Sequence, residues 1–211
     1  MRTTFKATAA LLALVAFQAE SIAVSMAATF NDPTWPCLQR KVENLSLGLM
    51  WQGALDEAPS AEKLPADAGD LAVKLSLRRI SLEEAEPLVL GFVETHPGAD
   101  EALFGQIFSA VFKKVNTDRR KIISGIASYS AKQIALAEKI DTTRKEMDDL
   151  LAQTAPDYDR IDKLEEQLDW DERIYQDRAK SLTYVCETPV LLEKRLYAIA
   201  KLLSSAPRSG N

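Results

Sequence analysis

Two cysteines carry the clearest chemistry in this sequence. Cys37 and Cys186 lie far apart along the chain, form no C-x-x-C motif and have no neighbouring histidine to activate them. An isolated cysteine pair in an oxidising compartment usually forms a disulfide bond. We therefore expect one structural disulfide between them. The alternative is a pair of separate thiols, one of which would serve an enzyme as a reactive group.

The other ionisable residues do not indicate a catalytic or metal site. His96 is the only histidine, and zinc sites draw on clusters of histidine and cysteine. The densest acidic cluster comprises Asp169, Asp171 and Glu172 on a predicted helix, where consecutive side chains point about 100° apart. These carboxylates would not converge. The sequence therefore predicts a protein that is not an enzyme and holds no metal and no cofactor.

The charge balance excludes further classes of partner. The chain has 26 basic and 31 acidic residues, which gives a formal net charge of −5. Nucleic-acid-binding proteins present a basic face to the phosphates, and proteins that bind anionic lipids are also basic at the contact surface. We therefore expect neither kind of partner.

The N-terminal segment has the three parts of a secretory signal peptide. Arg2 and Lys6 precede an apolar run over 9–17, and small residues follow at the spacing that a signal peptidase recognises. The run is shorter than the roughly 20 residues of a membrane span. We expect residues 1–27 to be removed, which places the protein in the periplasm or outside the cell without a membrane span. The alternative is an uncleaved N-terminal anchor. The candidate cut sites follow Ala23, Ala27 and Ala28.

An irregular arm over residues 28–66 should precede the helices. Prolines at high density interrupt regular elements, and this stretch also contains Trp35 and Trp51. Indole rings have a large apolar area to bury, so the arm is expected to lie over a core, fastened through Cys37. The alternative is an arm that binds a partner. The candidate contacts with a partner are Trp35, Trp51 and Tyr158.

Helical patterns fill residues 67–204. Ser81 and Glu84 have the spacing of a capping box, the sequence at 96–98 (His-Pro-Gly) predicts a helix end, and Asp100 is a candidate N-cap. The next helix has a broad apolar face that contains three phenylalanines, which are typical of a core. The alternative is a ligand pocket lined by aromatic rings, namely Phe104, Phe108 and Phe112 with Trp51.

Two long heptad patterns predict a helical hairpin over 118–187. Apolar residues recur in steps of three and four on both sides of Pro156, which is tolerated in a first helical turn. Thr117 is the predicted cap of the first long helix, and Thr188 with Pro189 predicts the start of a separate last helix. Residues 205–211 are expected to form a disordered tail.

The break at Pro156 is so short that the two helices should fold back antiparallel. Folding about residue 155 would bring Gln133 close to Arg178 and Leu136 close to Tyr175. Such a hairpin either projects from the core or packs as two members of a compact bundle. The same heptads could also be satisfied between two chains, so a homodimer is a further alternative.

These patterns together predict an all-α protein. It is a helical bundle with a long antiparallel coiled-coil-like hairpin and an irregular N-terminal arm. We expect it to be an interaction, adaptor or accessory protein of the cell envelope, with a partner protein at the hairpin that the sequence does not name. The alternative is an accessory protein that binds a small ligand in the aromatic pocket.

Overall fold

The computed structural model describes residues 32–53 and 64–207 of the chain. Residues 1–31, which include the whole predicted signal peptide, lie outside this range, as do residues 54–63 and 208–211. The described part is all-α, as the sequence predicts. Its elements are α1 (Leu47–Met50), α2 (Ala66–Ser76), α3 (Leu82–Thr95), α4 (Glu101–Leu151) and α5 (Tyr158–Ser204).

Side-chain caps start three of these helices at positions that the sequence marks. Ser81 and Glu84 form the predicted capping box at the start of α3, with both reciprocal hydrogen bonds present. Asp100 caps α4 by accepting a hydrogen bond from the backbone N–H of Leu103 at 2.8 Å. Asp157 caps α5 in the same way. The chain reverses between Leu151 and Tyr158 as the break at Pro156 predicts, but Pro156 precedes the helix and does not lie in its first turn as expected.

The predicted helix boundary at Thr117 is wrong. One helix of 51 residues, α4, runs through this position. Polar residues near 117 are used for tertiary contacts instead, because the side-chain oxygen of Asn116 accepts a hydrogen bond from the backbone N–H of Leu45. Thr or Asn inside a helix costs only about 0.7 kcal/mol relative to alanine, which packing on both sides of the position readily exceeds.

The boundary at Thr188 and Pro189 is also wrong, since α5 continues through both residues and Pro189 lies inside the helix. Proline removes one backbone donor and costs about 3 kcal/mol in a helix interior. Here it is buried, and its carbonyl oxygen accepts a hydrogen bond from Arg119 of α4 at 3.2 Å. Pro87 likewise lies within α3, which begins at Leu82.

The hydrophobic core belongs to one half of the molecule. Helices α2 and α3 pack on each other and on the first part of α4 and the last part of α5. The residues of this bundle core that are fully enclosed include Leu75, Val89, Phe104, Phe108, Val111, Leu196, Ile199 and Leu203. Ala206 also packs on this core, so ordered contacts extend into the segment predicted as a tail.

The long hairpin extends away from this core. In the described residues the core cluster has no member between Ile122 and Leu192. Beyond Ile122 the chain continues in α4 to Leu151, about 43 Å at 1.5 Å per residue, and returns in α5. Of the two arrangements that the sequence allows, the structure has the projecting hairpin.

Candidate functional site

The hairpin is held by a narrow seam between its two helices. In α4 beyond Ile122 the buried residues are three to seven positions apart, at Ile123, Ile126, Ser130, Gln133, Ile140 and Thr143. In α5 the buried residues of the hairpin are fewer and include Ile161 and Asp171. Each helix therefore buries only the stripe that faces its partner, as in a coiled coil, and leaves its other faces open.

Polar pairs fix how the two helices align. The side-chain amide of Gln133 donates to the backbone oxygen of Tyr175 at 3.0 Å, and Lys139 pairs with the buried carboxylate of Asp171 at 2.7 Å. Arg178 lies over the ring of Tyr129, at 6.0 Å from its centroid. The predicted alignment therefore holds to within about one turn. Lys139 and Asp171 pair as folding about residue 155 requires, while Gln133 contacts Tyr175 rather than Arg178.

The acidic cluster at 169–172 separates as predicted for consecutive helical residues. Asp171 turns inward to Lys139, and Glu172 pairs with Arg144 of α4 at 2.6 Å. Asp169 remains exposed. Across residues 32–53 and 64–207 no three acidic, histidine or cysteine side chains are grouped so that they could hold a metal ion.

The arm crosses the base of the hairpin and is covalently attached there. Cys37 and Cys186 form the predicted disulfide, with an S–S distance of 2.01 Å, and neither is left as a free thiol. The side chain of Gln39 donates to the backbone oxygen of Cys186. The thiol-enzyme alternative therefore has no thiol available in this structure.

A buried arginine fixes the next part of the arm. Arg119 of α4 donates to the carbonyl oxygen of Val42 at 2.5 Å and lies 3.6 Å from the carboxylate of Glu193. Burial lowers the pKa of Arg119 from its ordinary value. Sequence inspection did not identify this residue, because one arginine in a helix gives no pattern that distinguishes a buried side chain from an exposed one.

The three candidate partner contacts have different environments. Trp51 is 3% exposed and stacks on Phe108 at 5.3 Å between ring centroids, so it is a core residue. Trp35 is half-buried and donates to the carbonyl oxygen of Gln39 at 2.7 Å. Tyr158 is 65% exposed at the tip of the hairpin, where Leu151 is 51% exposed. Of the three candidate contacts, only Tyr158 at the tip is largely exposed.

The aromatic residues suggested as a pocket lining pack on one another. Phe108 lies between Trp51 and Phe112, with centroid distances of 5.3 and 6.2 Å, and Phe104 is fully buried beside Phe92. These contacts are those of a filled core.

Open clefts lie along the hairpin instead. A cleft of about 420 Å³ follows one side of the seam from Pro36 and Cys186, and a second of about 350 Å³ continues it past Arg144. On the opposite side a cleft of about 320 Å³ is lined almost entirely by apolar side chains, among them Ile122 and Val185. Both sides of the hairpin thus have recessed surface of a size that ligands or partner side chains occupy.

His96 is a structural residue of the bundle. Its ring stacks on Phe92 at 4.2 Å between centroids, and its Nε2 contacts the carboxylate of Asp67 at the start of α2. The pKa of Asp67 is lowered, first by the backbone N–H of Ala68 and then by His96. This pair links α2 to the end of α3.

Comparisons with known proteins give no relative for this chain. No family model, curated protein or solved structure matches it. Among the described helices none is both long and apolar enough to cross a membrane. The function must therefore be argued from the geometry of the hairpin.

Proposed function

We propose that this protein is exported and acts in the cell envelope as an interaction or adaptor protein, which contacts a partner protein through the tip of its hairpin. The observation that carries the proposal is that α4 and α5 continue about 43 Å beyond the last core residue of α4. Closing the bundle core does not require this extension. Because this part of the helical pair adds little to the core, its exposed faces are available to bind a partner protein.

The tip has the chemistry of a protein contact. Tyr158 and Leu151 are exposed there, and tyrosine is enriched at protein interfaces. Arg160 of α5 pairs with Glu146 of α4, and the N-cap Asp157 fixes the first turn of α5. A tip held by its own contacts loses little conformational entropy on binding, which favours affinity.

Export is supported by the N-terminal pattern of residues 1–27 and by the disulfide at Cys37 and Cys186. N-terminal sequencing of the protein from its own cells tests this part. The expected result is a new N-terminus after Ala23, Ala27 or Ala28. An intact Met1 in the fractionated envelope would contradict cleavage.

Site-specific photo-crosslinking tests the contact. A photoreactive residue at Tyr158 is expected to give one abundant adduct in the envelope, and the substitution Leu151→Asp in the same chain should abolish it. The matched control is Tyr197, which is 63% exposed on the same helix but at the bundle end. No adduct at Tyr158, or identical adducts at Tyr158 and Tyr197, would contradict recognition by the tip.

A further inference from the structure

The outer face of α5 carries an exposed apolar stripe that the hairpin seam does not use. Trp170, Tyr184 and Leu191 are 62%, 77% and 52% exposed. They are separated by multiples of seven residues, and Asp177 occupies the heptad position between Trp170 and Tyr184. Successive members therefore drift by only about 20° around the helix. Trp170 and Leu191 are about 32 Å apart at 1.5 Å per residue. A tryptophan this exposed on a rigid helix is a candidate interface anchor.

A groove at the bundle end of the same stripe is concave and is rimmed by basic side chains. It has a volume of about 300 Å³, and Leu82, Leu191 and Leu192 form its apolar lining. Arg78 and Lys194 also line it, together with Arg195, whose guanidinium donates to the carbonyl oxygens of Leu75 and Leu77. The groove is therefore apolar with basic side chains around it, which suits an aromatic ring flanked by acidic residues.

Trp170 is such a ring. Glu166 and Asp169 are exposed beside it, and neither is among the residues that pair across the hairpin. The neighbouring carboxylates of Asp171 and Glu172 are already paired with α4. The carboxylates of Glu166 and Asp169 beside Trp170 thus complement the basic side chains around the groove, while Arg173 lies on the C-terminal side of the ring. Trp170 belongs to α5, and α5 forms the groove together with Arg78 and Leu82 of the same chain.

We propose that two copies of this chain pair through the outer faces of α5 about a two-fold axis. The axis passes near Lys180 and Ser181, and the two helices run antiparallel. Trp170 of each copy then enters the groove at Leu191 of the other, and Asp177 faces Tyr184 across the interface. Because the two-fold axis places each Trp170 in the groove of the other copy, no groove is left open and the assembly stops at a dimer.

The charge pattern and the available area support a second copy as the occupant. In this antiparallel register Glu166 faces Lys194 of the other chain, and Arg173 faces Glu187, each twice by symmetry. The two copies of Lys180 meet once, at the axis, where each ammonium lies 3.5 Å from Asp177 of its own chain. The exposed rings and the groove surfaces they cover bring the buried area to about 1,000 Å², the lower limit of a specific interface. In this register Tyr158 is level with Leu203 of the other chain but lies about 120° around α5 from Trp170, so it points away from the pairing face. The inference therefore does not depend on the proposed function.

Sedimentation equilibrium of the full chain with its disulfide intact tests the pairing. The wild type is expected to show a reversible monomer–dimer equilibrium. Trp170→Ala should raise the dimer Kd at least about tenfold, as for an interface anchor. The control Tyr197→Ala removes an equally exposed ring from another face of α5 and should leave the Kd unchanged.

A charge exchange provides the second measurement. Glu166→Lys and Lys194→Glu should each weaken the dimer, and the double variant should restore it, which a mere loss of folding would not do. A wild type that remains monomeric at every concentration, growth into open-ended polymers, or a Trp170→Ala chain that pairs as the wild type does would overturn the proposal. Crosslinking at Tyr158 that persists in a monomeric protein would overturn the dimer alone and leave the tip contact standing.

Discussion

The bundle and the hairpin are built from the same two long helices but are stabilised differently. In the bundle, α4 and α5 are enclosed by α2 and α3, and their buried side chains include large apolar residues such as Phe108 and Leu196. In the hairpin, beyond the arm at its base, each helix has only the other to pack on among the described residues. The contrast shows that one continuous helix can serve a core along part of its length and present an open surface along the rest.

The buried polar residues follow the same division. Arg119, at the junction, holds the arm, while the other four buried polar residues of the described part of the chain lie in the hairpin seam at Ser130, Gln133, Thr143 and Asp171. A polar residue in a coiled-coil seam lowers stability but fixes register. The bundle is therefore specified by apolar packing, and the hairpin by the polar pairs that align its two helices.

The largest expected effect on stability comes from removing the disulfide that attaches the arm where the hairpin meets the bundle. Replacing both Cys37 and Cys186 by serine removes a bond between residues 149 apart in sequence. In the chain-entropy model this lowers the free energy of unfolding by about 4–5 kcal/mol. Urea denaturation of the oxidised wild type and the double variant measures it. A loss of less than about 1 kcal/mol would mean that the arm is already restricted in the unfolded chain.

Matched core truncations compare the two regions directly. Phe108→Ala should lower the free energy of unfolding by about 3–5 kcal/mol, because the ring is fully enclosed. Ile140→Ala should cost about 2 kcal/mol, since the two-helix seam is open at its sides and can relax around the lost atoms. Equilibrium denaturation measures both. Equal losses would indicate that the hairpin is as tightly packed as the bundle.

Gln133→Leu tests whether the polar residue that aligns the seam lowers the free energy of unfolding. The side-chain oxygen of Gln133 is buried without a hydrogen-bond partner, and leucine has a similar size. The substitution is expected to raise the free energy of unfolding by about 1 kcal/mol, the cost of an unsatisfied polar atom. Gln133→Ala is the control, because it removes the same polar group but leaves a cavity. If leucine destabilised the hairpin as much as alanine, the amide would be a net stabilising contact.

The smallest expected effect is at the start of the arm. Hydrogen bonds from Thr34 and then Lys41 lower the pKa of Asp32 from 3.8 to about 2. Because the folded state favours the charged carboxylate, this stabilisation is complete above pH 3.8 and is lost as the pH falls towards 2. The melting temperature of Asp32→Asn should lie slightly below that of the wild type at pH 7, and the two should converge below pH 2. A difference independent of pH would contradict this.

Local patterns alone determined several features of this protein. The heptads on both sides of Pro156 predict two long helices that fold back antiparallel, and the capping box at Ser81 predicts where α3 begins. Cysteine count and predicted compartment predict the disulfide. These features depend on spacing within a few residues or on a long repeat, so the sequence shows them directly.

Other features were decided by tertiary contacts. The helices continue through Thr117 and Pro189 because packing and the hydrogen bond from Arg119 outweigh the local preference for a break. The burial of Trp51 against Phe108 depends on where the arm crosses α4. The position of the turn predicts the hairpin register to within about one turn, whereas the individual partners, such as Tyr175 rather than Arg178 for Gln133, are set by side-chain contacts between the two helices. Such contacts join parts of the chain far apart in sequence, and only the folded structure brings them together.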